Sequence, residues 1–143
     1  MAPGILGKRW EARHNTVLAH VKAYKRYDKY RDAQKGKVGI TLHSIWAEPE
    51  TEADAGAAEL VMQFEIGFWA EVIYGSGDYP AELKRGVRQS GRMLKEFSAD
   101  EIRGNRGSSD FFGLNHYTTR IVKLCKSDDC GHYGEYGFEV KFL

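Results

Sequence analysis

The stretch DFFGLNHYTTR, running from Asp110 to Arg120, decides how the rest of this 143-residue chain is read. Phe111, Phe112, Gly113 and Leu114 form a short run of apolar residues and glycine suited to burial on both faces, and polar residues follow at once. Parallel strands have this character because helices cover them, and their carboxyl ends open onto the crevice where ligands bind. Asn115, His116 and Tyr117, at the polar tip, are therefore candidate functional residues.

Upstream lies a second run of the same kind, Val38-Gly39-Ile40-Thr41-Leu42, with a polar exit at His43-Ser44 and with Trp46 and Pro49 just beyond. Before it, Val17, Val21 and Tyr24 recur at helical spacing over Glu11 to Ala33, with Tyr27 and Tyr30 extending the stripe and Lys22, Lys25, Arg26, Lys29 and Arg31 largely opposite. Gly36 stands where a left-handed helix cap is expected. A second helix is expected to open at Thr51, with Asp54 three places on as a weak capping box. Ala57, Leu60, Val61, Phe64, Phe68, Trp69 and Val72 then form one broad apolar face, and Gly75, Gly77 and Pro80 end the segment. Residues 81–109 are polar and glycine-interrupted, with short helical pieces expected at 81–87 and 98–103.

The order helix, strand, helix, connector, strand is that of consecutive βα units in a parallel sheet. At the carboxyl end Phe138, Val140 and Phe142 alternate with Glu139 and Lys141. This period of two predicts a half-buried strand, paired as a hairpin with the extended segment before the cysteines.

Composition suits one ordinary domain: 42% hydrophobic and 29% charged residues with a net charge of +1. The start, MAPGILGKRW, has no long apolar core and no later run approaches a membrane span, so the chain as given reads as soluble, without a signal peptide and without a membrane partner. The charge is segregated. Residues 1–40 carry ten Lys/Arg against three Asp/Glu, whereas residues 41–82 carry nine acids and no Lys or Arg. Neighbouring segments of opposite sign attract each other. That neighbour suffices for the basic segment, and no groove-reading motif accompanies it, so nucleic acid is not expected as a partner. Cys125 and Cys130 could close a small disulfide loop, but two free thiols are the simpler reading. Only His132 lies near them, one ligand short of a zinc set, so no metal is expected.

Several tags together carry a resemblance. APG at 2–4, HNTVLAHVKAY at 14–24, KGKVGITLHSIWAEP at 35–49, GDYP at 77–80 and DFFGLNHYTT at 110–119 resemble, in order and spacing, the β-glucosidases of glycoside hydrolase family one. The resemblance covers roughly residues 2–122. It implies that 1–143 is a single partial (β/α)8 TIM-barrel domain with two core parallel strands, running from the helix after the fourth strand to just past the sixth, with 123–143 a divergent tail. It also implies hydrolysis of terminal β-linked glucose with retention, no cofactor, and a β-glucoside or oligosaccharide as substrate.

The family's acid, in an Asn-Glu-Pro motif, and its nucleophile, in a Glu-Asn-Gly motif, have no counterpart in these residues. Carried across residue by residue, Asn115 and Tyr117 correspond to the Asn-x-Tyr that orders the site and donates a hydrogen bond to the nucleophilic carboxylate. His43, Ser44, Trp46 and His116 fall at the mouth, where relatives contact substrate or aglycone, although many relatives have Asn at position 43. Asn115 and Tyr117 also have a plainer reading, as groups that satisfy a strand end. Glu48 and Glu50 read as an exposed acidic loop rather than substitute catalysts, and His14 and His20 as structural. Open parallel sheet edges predict self-association or a partner that covers them.

Overall fold

The computed structural model describes residues 9–125, 130 and 137–142. Helix α1 spans Arg9–Gln34, strand β1 Ile40–Pro49, and a 3-10 turn Glu52–Asp54 leads into α2, Ala55–Met62. A π turn, Gln63–Gly67, joins α2 to α3, Phe68–Tyr74. Short helices α4, Ala81–Gln89, and α5, Ala99–Asn105, precede β2, Phe112–Leu124, and β3, Phe138–Phe142. The sheet order is β1-β2-β3, with β1 parallel to β2 and β2 antiparallel to β3. Both expected parallel strands, the expected carboxyl-terminal hairpin and both short helical pieces are present.

The helices cover one face of the sheet. Val17 and Val21 from α1, Ala57 and Val61 from α2, Phe64 from the π turn and Phe68 and Val72 from α3 are buried together. Full burial of such side chains contributes about 1.5–3 kcal/mol each. The polar connector adds more to this core than its composition suggests: Leu83 and Val87 on α4 are fully buried, and Phe97 stacks on the His14 ring and lies tilted against Tyr79.

Five expectations are corrected. The left-handed residue after α1 is Lys35, at φ 51°, not Gly36. Gly36 instead sits so close to Tyr27 that an added Cβ would lie 2.4 Å from the hydroxyl. Strand β1 starts at Ile40 and runs through His43 and Ser44 to Pro49, because its ladder with β2 continues to the pair Pro49 and Val122. The second helix is interrupted by the π turn rather than continuous. Burial of Phe111 to Leu114 on both faces fails: Phe112 and Leu114 are about half exposed, since the helices cover only one face. Finally, Cys125 and Cys130 are joined in a disulfide, their Cα atoms 6.1 Å apart, rather than free. Hairpin pairing explains this proximity, since Cys125 N–H donates to Gly137 at 2.9 Å where β2 hands over to β3. The tag at 2–4, His132 and the loop segments 126–129 and 131–136 lie outside the described residues.

Candidate functional site

Two aspartates fasten the β1–β2 pair, one at each end. At the entry, Asp110 Oδ2 accepts from Arg31 Nη1 at 2.6 Å and from the Val38 amide at 2.8 Å, while Oδ1 accepts from the Tyr24 hydroxyl at 2.8 Å. The Asp110 amide returns a bond to the Val38 carbonyl at 2.8 Å. These donors hold the Asp110 carboxyl well below the usual carboxylate range, at about 2, with the Val38 amide the largest cause. At the exit, Asp54 accepts from the Leu124 amide at 2.8 Å and from the Thr51 amide at 3.0 Å, and its carboxyl is also held low, chiefly by the Thr51 hydroxyl. A strand anchored at both ends holds whatever it carries between them in fixed register.

Between those anchors the ladder pairs Leu42 with Leu114, His43 with Asn115 and Ser44 with His116. A register shift follows between Ser44 and Trp46, after which Trp46 pairs with Thr119. Leu42 and Ser44 are buried on the helix side, and strict alternation would bury residue 46 as well. The irregularity changes the parity, so Ala47 is buried and Trp46 and Glu48 stay exposed, as Thr41 and His43 are. Bulges of this kind re-aim side chains at barrel rims and beside active sites.

The exposed sheet surface therefore brings His43 and Tyr117 together, their ring centres 6.4 Å apart. Tyr117 is 76% exposed, and among the described residues neither its hydroxyl nor the Asn115 amide takes a hydrogen bond. Trp46 Nε1 donates to Glu48 Oε2 at 2.9 Å, which orients the indole. His116 is exposed on β2. Ser44 does not share this surface: it is buried, and its hydroxyl donates to the Ile45 carbonyl at 2.8 Å. The donors that face solvent suit a carboxylate or a sugar hydroxyl. No group of three or more His, Cys, Asp or Glu side chains is placed to hold a metal ion among the described residues.

His14 and His20 sit away from this surface. His14 is fully buried, with Nδ1 2.7 Å from the Tyr79 hydroxyl, and burial pushes its pKa down. His20 Nε2 lies 2.7 Å from the Ser108 carbonyl. Sequence reading missed Asp110 and Asp54 as anchors. Asp110 stands first in the apolar stretch, where a carboxylate has no place unless it is fully hydrogen-bonded, and that was the available signal.

A family model described as Glycosyl hydrolase family 1 matches residues 1–136, beyond residue 122, the expected limit of the resemblance. Klotho of Mus musculus is 40% identical over 131 residues, covering 88% of this chain and 13% of that protein. The cytosolic β-glucosidase of Cavia porcellus is 34% identical over 125 residues, covering 80% of this chain and 27% of that one. The solved β-glucosidase from Trichoderma harzianum superposes with a TM-score of 0.82 at 33% identity, covering 96% of this chain and 29% of that chain. This chain thus spans less than a third of the length of each. Its two parallel strands and their helices are a segment of a (β/α)8 barrel.

Proposed function

The chain belongs to glycosyl hydrolase family 1, and from that premise we propose that it supplies two neighbouring strands of a retaining β-glucosidase site, which hydrolyses terminal β-D-glucosyl residues. Retention requires two carboxyl groups about 5 Å apart, one to protonate the leaving oxygen and one to attack the anomeric carbon. These residues supply neither motif, so this chain alone does not hydrolyse β-glucosides efficiently. Its contribution is support. Tyr117 donates its hydroxyl proton to the nucleophilic carboxylate, which favours the ionised form and fixes its orientation. Asn115 orders the same site, while His43, Trp46 and His116 meet the sugar or aglycone. No cofactor takes part.

The observation that carries this reading is the unoccupied hydroxyl of Tyr117, presented beside His43 on a strand fixed at both ends. The experiment has two arms. Purified chain at high concentration should release no nitrophenol from 4-nitrophenyl β-D-glucoside. A chimaera carrying residues 9–124 in place of the matching segment of a family β-glucosidase should hydrolyse it. An active isolated chain, or an inactive but folded chimaera, sinks the proposal.

A second reading has its own support in the ten-residue β1, whose edge away from β2 is unpaired among the described residues. Such an edge is completed by another strand. A carbohydrate-binding or assembly role, completed by a partner chain, would survive without hydrolysis. Glucose binding by a folded chain that is catalytically silent in both arms would favour it.

A further inference from the structure

Helix α4 carries a cationic ridge that the glycosidase reading does not use. Its inner face is apolar and buried, through Leu83, Gly86 and Val87, so Lys84, Arg85 and Arg88 are turned outward. The helix packs over Phe64 on the outside of the helical layer: a Cβ added at Gly86 would meet the Phe64 ring at 3.3 Å. The ridge therefore faces away from the sheet surface that bears His43 and Tyr117.

Two hollows flank the ridge and share Lys84 and Arg88 as a common wall. One, of about 260 Å³, continues past the helix end to Arg92, Met93, Leu94 and Glu96. The other, of about 540 Å³, adds Arg85. The turn at Gly91, with φ 71°, brings the chain round after the helix, and the Arg92 amide bonds the Val87 carbonyl at 3.2 Å. Lys84 is anchored by Asp78, and Arg85 is only loosely paired with Glu82, at 3.9 Å. Among the described residues Arg88 has no carboxylate within ion-pair distance. Lys84 and Arg88 stand one helical turn apart, and Arg92, beyond the turn at Gly91, joins them in lining the first hollow.

We propose that this ridge and its paired hollows bind a sulfated polysaccharide chain, at a site separate from the sheet surface. Two open hollows sharing a wall of cations suit a long multivalent anion laid across them, not a single enclosed ion. Guanidinium groups pair well with planar or tetrahedral oxyanions because they donate in a fixed fork. No aromatic side chain lines either hollow, so bases have no surface on which to stack, which disfavours single-stranded nucleic acid. The apolar residues of α4 point inward, so the helix has no stripe to insert into a lipid surface.

The test uses the whole chain with heparin as the probe, titrated across a salt series. Binding should be tight at low salt, weaken linearly on a log–log plot, and protect residues 81–93 from hydrogen exchange. The double variant Arg85→Gln/Arg88→Gln changes exposed side chains only, so circular dichroism should be unchanged. It should weaken binding about tenfold and flatten the salt slope by about one to two. The control Lys25→Gln/Lys29→Gln on α1 should leave binding as it was. The proposal is overturned by absence of binding at low salt. It is equally overturned by a loss confined to the α1 variant, or by equal affinity for oligothymidylate, polyglutamate or anionic vesicles.

Discussion

Arg31 and Asp110, 79 positions apart in sequence, meet at 2.6 Å and tie the last turn of α1 to the start of β2. Three donors converge on that carboxylate, the Tyr24 hydroxyl, the Val38 amide and the Arg31 guanidinium, and the Asp110 amide closes the entry turn by donating to the Val38 carbonyl. The sheet's register, and with it the pairing of His43 with Asn115, starts from this knot. Asp110→Asn keeps the shape but removes the charge that the donors satisfy. It should lower the melting temperature clearly, whereas a neutral result in a thermal melt would show that the knot is dispensable. The pH dependence has a definite sign: the folded value, about 2, lies below the ordinary carboxylate value. Stability from Asp110 is therefore complete above the unfolded pKa and is lost as pH falls from about 4 towards 2, a loss the variant should not show.

His14 predicts a second acid-sensitive step at higher pH. Its ring is buried against Phe97 and Tyr79, with Lys95 opposing and Glu101 and Glu11 favouring its protonation, and burial dominates to lower its pKa. The unfolded chain gains that proton near pH 6.5 while the folded chain resists it, so stability falls as pH drops below that value. Melts at pH 7.5, 6.5 and 5.5 should show the decline. His14→Gln should start lower and flatten it, and an unchanged slope would contradict the assignment.

Gly77 is the glycine whose replacement should hurt most visibly. It sits at φ 91°, and an added Cβ would lie 2.2 Å from the Ile102 carbonyl oxygen. Its own carbonyl accepts from Asn105 Nδ2 at 3.0 Å, joining the end of α3 to α5. Gly77→Ala should cost more than about 1 kcal/mol in a denaturant titration. The same change at Gly91, which has a positive φ but open space around it, should cost less.

How far the sequence reached depended on whether a pattern was local. Hydrophobic period gave both parallel strands, the apolar faces of the helices and the alternation of Phe138, Val140 and Phe142, because these reflect neighbours along the chain. The π turn was not legible: Gln63 to Gly67 has no composition that marks one extra residue per turn. Nor was the register shift between Ser44 and Trp46, which arises from pairing with a distant strand and turns Trp46 onto the surface of His43, whereas Ser44 is turned away from it by plain alternation. Asp110 looks like an ordinary loop acid, and Asp54 like no more than the capping partner of Thr51 that it also is, until their partners, 72 and 70 positions away, are brought to them. The disulfide follows from the β2–β3 hairpin, whose connection brings Cys125 and Cys130 together, a proximity that compartment rules alone do not carry.

The sheet's open edges predict association. The edge of β1 away from β2, unpaired among the described residues, and the half-exposed Phe112 and Leu114 leave backbone and apolar groups uncovered. Sedimentation at micromolar concentration should find the 16.2 kDa chain larger than a monomer, or bound to a partner that supplies a strand. A stable monomer with native-like circular dichroism would refute this.

Tyr117 has one central role in the proposed site, as the donor to a nucleophilic carboxylate. The most direct measurement is the pH profile of kcat for the barrel chimaera and its Tyr117→Phe variant. Loss of one charge-assisted hydrogen bond, about 1.5–3 kcal/mol, should lower kcat roughly 10- to 100-fold. It should also move the acidic limb to higher pH, since the carboxylate loses a partner that favours ionisation. An unchanged kcat with an unmoved acidic limb, in a chimaera that folds and turns over, would contradict the account.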